Sequence, residues 1–140
     1  MHALTLFEAL LITHFIMDWI FQWKWEAMNK SKNWLALLFH CFVYTVGFIP
    51  VFLIYNINLE WLLFIFVSHI ICDKRDFEIW LLEKFKGFKR EESSEFSWNI
   101  VLVGVDQTLH LIILSLIVFF FKSNPPVLAR IEKSKNKKGR

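Results

Sequence analysis

Apolar residues fall along this chain in four long stretches, at residues about 4–23, 34–55, 59–76 and 99–121. Twenty helical residues rise about 30 Å, the thickness of the hydrocarbon layer of a bilayer. The pattern therefore predicts an all-α protein, a four-helix transmembrane bundle within residues 1–121. The second stretch is almost pure hydrocarbon apart from His40. The third is apolar only from Leu59 to Cys72 and then meets Asp73, Lys74, Arg75 and Asp76. Fourteen residues cover only about 21 Å. That helix is either short or continues through its charged end into residues 77–82. Between the third and fourth stretches, Phe77, Trp80, Leu81, Phe85 and Phe88 can share one helix side, with Glu and Lys on the other. This predicts a short amphipathic helix lying in the membrane interface, the alternative being a solvated extension of the third span. Residues 122–140 open with Pro125 and Pro126 and end in Lys133, Lys135, Lys137, Lys138 and Arg140, which predicts a disordered basic tail.

Polar side chains interrupt the stretches in a regular way. His14 pairs with Asp18, His69 with Asp73 and Asp106 with His110, each four residues apart, and His40 stands alone. Residues four apart share a helix face. Each ionisable group inside a membrane span costs roughly 2.5–3.5 kcal/mol on insertion scales, so seven in such a pattern argue for a function. If the spans alternate in direction, all seven lie roughly 5–18 Å from one membrane surface, counted at ~1.5 Å per residue. Imidazole and carboxylate from facing helices are the ligand set of bundle metal sites. His14, Asp18, His40, His69, Asp73, Asp106 and His110 are therefore the metal-ligand candidates, and zinc is the expected ion, with manganese or iron compatible. Asp76 lies seven residues after His69 and is a further candidate. Gln22 continues the His14–Asp18 face, and Gln107 is turned to meet a neighbouring helix or a substrate. Asp18 and Asp106 are candidate general bases. Lys30, Lys74 and Arg75 sit where they could meet a phosphate at the same surface.

Composition fits a membrane protein. The chain has 140 residues, of which 56% are hydrophobic and 18% aromatic, and its mean hydropathy is +0.43. Soluble domains are nearer 45–50% apolar, on roughly this count. Trp19, Trp23, Trp25, Trp34, Trp61 and Trp98 fall near predicted span ends, as interfacial belts do. The first stretch has no basic n-region or small-residue cleavage site and carries Glu8 and Asp18, so it reads as a span and not as a cleaved signal. Only 4 Gly are present, and Gly-mediated helix crossings are not expected. Cys41 and Cys72 have no metal or disulfide spacing and read as small buried apolar residues. His2 stands outside the apolar layer, with no expected role. Nucleic acid is not an expected partner, because the basic tail has no aromatic or motif context.

In order and spacing, His14-Phe15-x-x-Asp18-Trp19-x-x-Gln22, Asn29-Lys30, His40, His69-x-x-x-Asp73 and Asp106-Gln107-x-x-His110 resemble the family of small bacterial membrane proteins described as domain of unknown function 3307. The resemblance spans residues about 7–115. In style the pattern is similar to inner-membrane proteins described as metal-dependent hydrolases, and more distantly to helical zinc phospholipases C and nucleases. It implies the same seven His and Asp residues as a metal site. One position departs: where a lysine is expected three residues after the third motif's Asp, this chain has Asp76, with Lys74 and Arg75 beside it.

Two function classes follow. The first is a metal-dependent hydrolase acting on a phosphoester or ester of a lipid-like or phosphorylated substrate at the membrane surface. The second is a non-enzymatic carrier or sensor of a metal ion or proton; a metal-free bundle whose Asp–His pairs serve only packing is the third alternative. Polar groups confined to one half of the bundle favour the enzyme, since an ion path needs groups on both sides of the midplane. The loops beside the polar layer carry Lys24, Lys30, Lys32, Lys74, Arg75, Lys84, Lys86, Lys89 and Arg90. The expected location is the bacterial cytoplasmic membrane, with the site facing the cytoplasm.

Overall fold

The computed structural model describes residues 4–123, and among them every regular element is helical. Helix α1 (Leu6–Phe15) starts at a capping box, in which Thr5 accepts from the Glu8 amide and Glu8 accepts from the Thr5 amide. It runs into a π-helical turn, Ile16–Ile20, and stops there. The expected first span of about 4–23 is thus shorter, and residues 24–29 form a separate helix, α2 (Lys24–Asn29), where a loop was expected. Its signal is legible in retrospect: Glu26 and Lys30 have the i,i+4 order that favours a helix.

Asn33 caps α3 (Trp34–Gly47) by accepting from the Leu35 and Ala36 amides. Phe48 and Pro50 mark a break before α4 (Ile49–Ile54), because proline has no N–H to continue the ladder. Helix α5 (Glu60–Asp73) ends where its charges begin. Arg75 then adopts a left-handed backbone, φ 66°, a conformation that costs a non-glycine residue about 1–2 kcal/mol. The helix of the third apolar stretch therefore does not run to residue 76 or beyond. A new helix, α6 (Asp76–Trp80), sets off from the turn and continues as a π-helical turn, Leu81–Phe85. Helix α7 (Glu95–Ser123) is the longest, about 43 Å.

The helices close into a ring. α3 packs on α5, α5 on α7 and α7 on α1, while the π-turn after α1 packs on α3. Neighbours are antiparallel. The Tyr55 hydroxyl donates to the Leu4 carbonyl, joining the start of α1 to the end of α4. Trp61 stacks on Phe120 at 5.7 Å, joining the start of α5 to the far part of α7. The Lys74 ammonium donates to the Ser31 carbonyl at 3.2 Å, joining the end of α5 to the start of α3.

Inside the ring the chain is layered. Leu10, Phe48, Phe52, Ile65, Leu114 and Ile117 fill one half, and a smaller group, Leu82, Trp98 and Leu102, lies near α6. Buried charged and polar residues occupy the layer with His14, His40, His69 and His110. The outer face is apolar: Ile20, Leu35, Phe42, Leu53, Leu63 and Phe119 are among its exposed residues. Two segments, Trp34–Ile54 and Glu95–Phe121, are long and apolar enough to cross a membrane.

Other expectations need correction. Trp98 is not at a surface; it is buried and stacks on Phe88 at 5.9 Å. The predicted amphipathic helix is present in part, but Glu78 and Leu82 form its buried side while Phe77, Trp80 and Phe85 are exposed. Glycine does mediate one crossing, at Gly47, where an added Cβ would stand 2.4 Å from Met17 Cγ and 2.5 Å from its Sδ. Gly47→Val is expected to cost about 1–3 kcal/mol through this overpacking, read as a lower unfolding midpoint. An unchanged midpoint would mean that the π-turn and α3 can separate freely. Cys41 and Cys72 are free and buried, as expected. The basic tail from residue 124 onward, and His2, lie outside the described residues.

Candidate metal centre

Asp18 and His14 come from the end of α1 and its π-turn, His40 from α3, His69 and Asp73 from the last turn of α5, and Asp106 and His110 from α7. The structure brings all seven into one layer. The imidazoles form a chain, with ring centroids 5.0 Å apart for His14–His110, 4.6 Å for His110–His69 and 5.1 Å for His69–His40.

Four ligand atoms converge at its centre. His40 Nε2 is 3.1 Å from Asp18 Oδ1, 3.1 Å from Asp73 Oδ2 and 3.0 Å from His69 Nε2. His69 Nε2 is 3.2 Å from Asp73 Oδ2 and 3.9 Å from Asp18 Oδ1. A tetrahedral ion with bonds of about 2.0–2.1 Å spaces its ligands roughly 3.3 Å apart. Four of these distances are near that size, and the fifth, His69 Nε2–Asp18 Oδ1, is longer at 3.9 Å. Asp18, His40, His69 and Asp73 are a group that could hold a metal ion.

Hydrogen bonds around the cluster aim these atoms. His110 Nδ1–H donates to the Asp106 carbonyl at 2.8 Å, which leaves Nε2 to accept from His69 Nδ1–H at 2.7 Å. His69 thereby turns an Nε2 lone pair to the centre. His40 Nδ1 lies 3.3 Å from Glu26 Oε2, so an Nδ1–H donated there turns the second lone pair inward. A carboxylate behind a ligating imidazole is the usual device for fixing its tautomer. With these tautomers two imidazole lone pairs and two carboxylate oxygens face one another, and Asp73 Oδ2 receives no well-directed hydrogen bond although buried. Such a set of acceptors favours a positive charge among them, which a metal ion would supply beside the Lys30 ammonium. The donor set thus fits zinc, manganese or iron.

His14 stands outside this group. The Tyr44 hydroxyl donates to its Nδ1 at 2.9 Å, and its Nε2–H donates to Gln107 Oε1 at 3.0 Å. The Gln107 amide in turn donates to Asp18 Oδ2 at 3.3 Å and Asp106 Oδ2 at 3.1 Å. His14 and Gln107 therefore orient carboxylates. The Gln22 amide lies 3.4 Å from both ring nitrogens of His40. Asp73, Asp106 and His110 form a second group whose ligand atoms lie within 4.8 Å of one another.

Lys30 is buried, with its ammonium 3.0 Å from Asp73 Oδ1 and 3.5 Å from Asp18 Oδ1. It belongs to the cluster and not to the surface. Burial disfavours its charge, but Asp73 and Asp18 outweigh that and hold its pKa above the ordinary lysine value. Asp76 is exposed and joins nothing, because the left-handed turn at Arg75 breaks the face it would have shared with His69. Lys74 lies 5.1 Å over the Trp34 ring, and both Lys74 and Arg75 line a groove of about 630 Å³ between α2, the α5–α6 turn and α7.

Three site residues escaped the sequence reading. Tyr44 is fully enclosed and stacks on His69 at 3.6 Å; its place four residues after His40 was a legible sign. Glu26 could be found from the i,i+4 pairing with Lys30. Glu78 is wholly buried, with neither carboxylate oxygen hydrogen-bonded by a donor. Burial, and then the Asp106 carboxyl against it, push its pKa up. In the sequence it reads as the polar side of an amphipathic helix, and nothing there marks it as buried.

The chain matches, over residues 6–136, the family described as protein of unknown function (DUF3307), and it belongs to that family. No curated protein and no solved structure matches it.

Proposed function

We propose that the protein is an integral membrane, metal-dependent hydrolase of a phosphoester or ester at the membrane surface. The observation that carries this reading is the buried group formed by Asp18, His40, His69 and Asp73, whose ligand atoms lie within 4.8 Å of one another. The bundle is inverted, with exposed Leu, Phe and Ile outside and charged groups inside, which suits lipid as the surrounding solvent. In this reading α1 with its π-turn, α3–α4, α5 and α7 are four spans. α1 with its π-turn, and α5, are short for a 30 Å layer, roughly 21–22 Å each, and local thinning of the bilayer accommodates them. The exposed Phe77, Trp80 and Phe85 then lie in the interface. The basic loops beside the site put that side in the cytoplasm of a bacterial cell.

A divalent ion held by Asp18, His40, His69 and Asp73 would supply Lewis acidity and, with a further coordination position open to water, would lower the pKa of that water toward about 7. The chain's own groups do the rest. Glu26 holds the His40 ring, and His110 holds the His69 ring. Asp106 is the more exposed carboxylate, at 14% of its side chain, and accepts the proton of the attacking water as general base. Asp18, the other base candidate, has one oxygen at the ion and the other on Gln107 and is assigned to holding the ion. Asp106→Asn is expected to slow turnover of a p-nitrophenyl phosphate or ester about 10²–10⁴-fold, the usual weight of general-base catalysis, while the purified protein keeps its helical content. Equal turnover in the variant and wild type would remove Asp106 from the chemistry. Zinc uptake into proteoliposomes, in place of turnover, would decide for a carrier.

One observation favours a metal-free bundle instead. The Lys30 ammonium already stands beside both carboxylates, and a proton on His40 Nε2 would satisfy the remaining acceptors. The stability of Lys30→Met with and without zinc separates the two.

A further inference from the structure

The groove between α2, the α5–α6 turn and α7 is lined by no residue of the four-atom cluster, but its lining adjoins in sequence one member of it, Asp73, and the residues around it. On α2, Ala27 follows Glu26, and Ser31 follows Lys30. On the α5–α6 turn, Lys74 follows Asp73, and Ile79 follows Glu78. On α7, Val103 lies one turn before Asp106. The groove therefore borders the cluster at the α5–α6 turn, where Lys74 follows Asp73.

Its lining combines charged and apolar side chains. Lys32, Lys74, Arg75 and Arg90 bring four cations against two carboxylates, Asp76 and Glu95. None of these four cations forms an ion pair with a carboxylate among the described residues. Lys74 spends one ammonium hydrogen on the Ser31 carbonyl and has others free. Met28, Ile79, Trp98 and Leu102 add apolar surface from the same elements. A volume of about 630 Å³ lies in the range of small-molecule sites. An excess of two positive charges together with apolar side chains in one groove is complementary to an amphiphile with a phosphate head.

We propose that this groove binds the phosphate headgroup and proximal chain of an anionic membrane phospholipid, presenting it beside the cluster. This rests on the hydrolase reading for its meaning as a substrate site, but the binding itself does not require a metal. Guanidinium and ammonium groups take the phosphate oxygens through charge-assisted hydrogen bonds, and the first methylenes lie along Ile79 and Leu102.

The test is lipid binding by the full chain, purified in detergent, treated with chelator and followed by native mass spectrometry. Phosphatidic acid, phosphatidylcholine and inorganic phosphate are the probes. Phosphatidic acid is expected to bind at least tenfold tighter than either other probe. The double variant Lys32→Gln/Arg90→Gln, at two exposed positions, is expected to lose about tenfold or more for phosphatidic acid, as loss of charged contacts implies. Equal binding of phosphatidic acid and phosphatidylcholine would overturn the phosphate assignment. Inorganic phosphate competing as well as the lipid would overturn the chain assignment and leave a free-phosphate site. Wild-type affinity in the double variant would overturn the location. If lipid binds as expected and no lipid or ester is turned over after zinc is restored, the groove stands and the hydrolase reading falls.

Discussion

His40→Ala protein is expected to lose zinc at concentrations that saturate the wild type. His40 is the one side chain whose ring touches Asp18, Asp73, His69, Glu26 and Lys30 together. Its removal deletes one of four ligand atoms and frees Glu26 from its partner. Glu26→Gln grades the effect. That change keeps the shape and weakens only the support behind the His40 ring, so zinc affinity should fall by about 10–100-fold, the usual cost of losing such a partner. Zinc content by elemental analysis, and affinity by competition with a chelating dye, measure both. The expected order is wild type, then Glu26→Gln, then His40→Ala with about none. Full zinc content in His40→Ala would remove the four-atom site, and equal affinities in Glu26→Gln and wild type would remove the role given to Glu26.

Lys30→Met is expected to destabilise the metal-free protein by about 3–5 kcal/mol. Removing one partner of a buried pair leaves the other charge uncompensated, and here two carboxylates lose their cation at 3.0 and 3.5 Å. Zinc should restore most of that loss, because the ion neutralises the same Asp18 and Asp73. Zinc affinity should also be higher than in the wild type, where the ammonium competes for the carboxylates. Unfolding midpoints in detergent, with chelator and with excess zinc, give the answer. If Lys30→Met is equally destabilised in both conditions, no ion sits with Asp18 and Asp73, and the metal-free bundle is the better account.

The sequence determined that the protein is helical, where the long apolar stretches lie, and which seven His and Asp residues share a layer. Those features are local. Stretches of twenty apolar residues and i,i+4 spacing follow from the rise and turn of one helix, and depth from a surface follows from counting residues. The shared layer was legible because four independent helices agree in it.

Tertiary structure decided which of those residues meet, and it did so through departures from straight helices. The π-turn at Ile16–Ile20 and the left-handed Arg75 end two helices early. They bring Asp18 and Asp73 against His40 and His69, and leave Asp76 outside. His14 lies outside the four-atom group, with Tyr44 and Gln107 at both of its nitrogens, a fact that depends on α3 and α7 at sequence distances no pattern reports. Glu26, Lys30 and Glu78 looked like solvated charges because a helix shorter than two turns shows no face of its own. Only the packing of α2 on α3 and of α6 on α7 turned them inward, where burial gives a charge its chemical meaning.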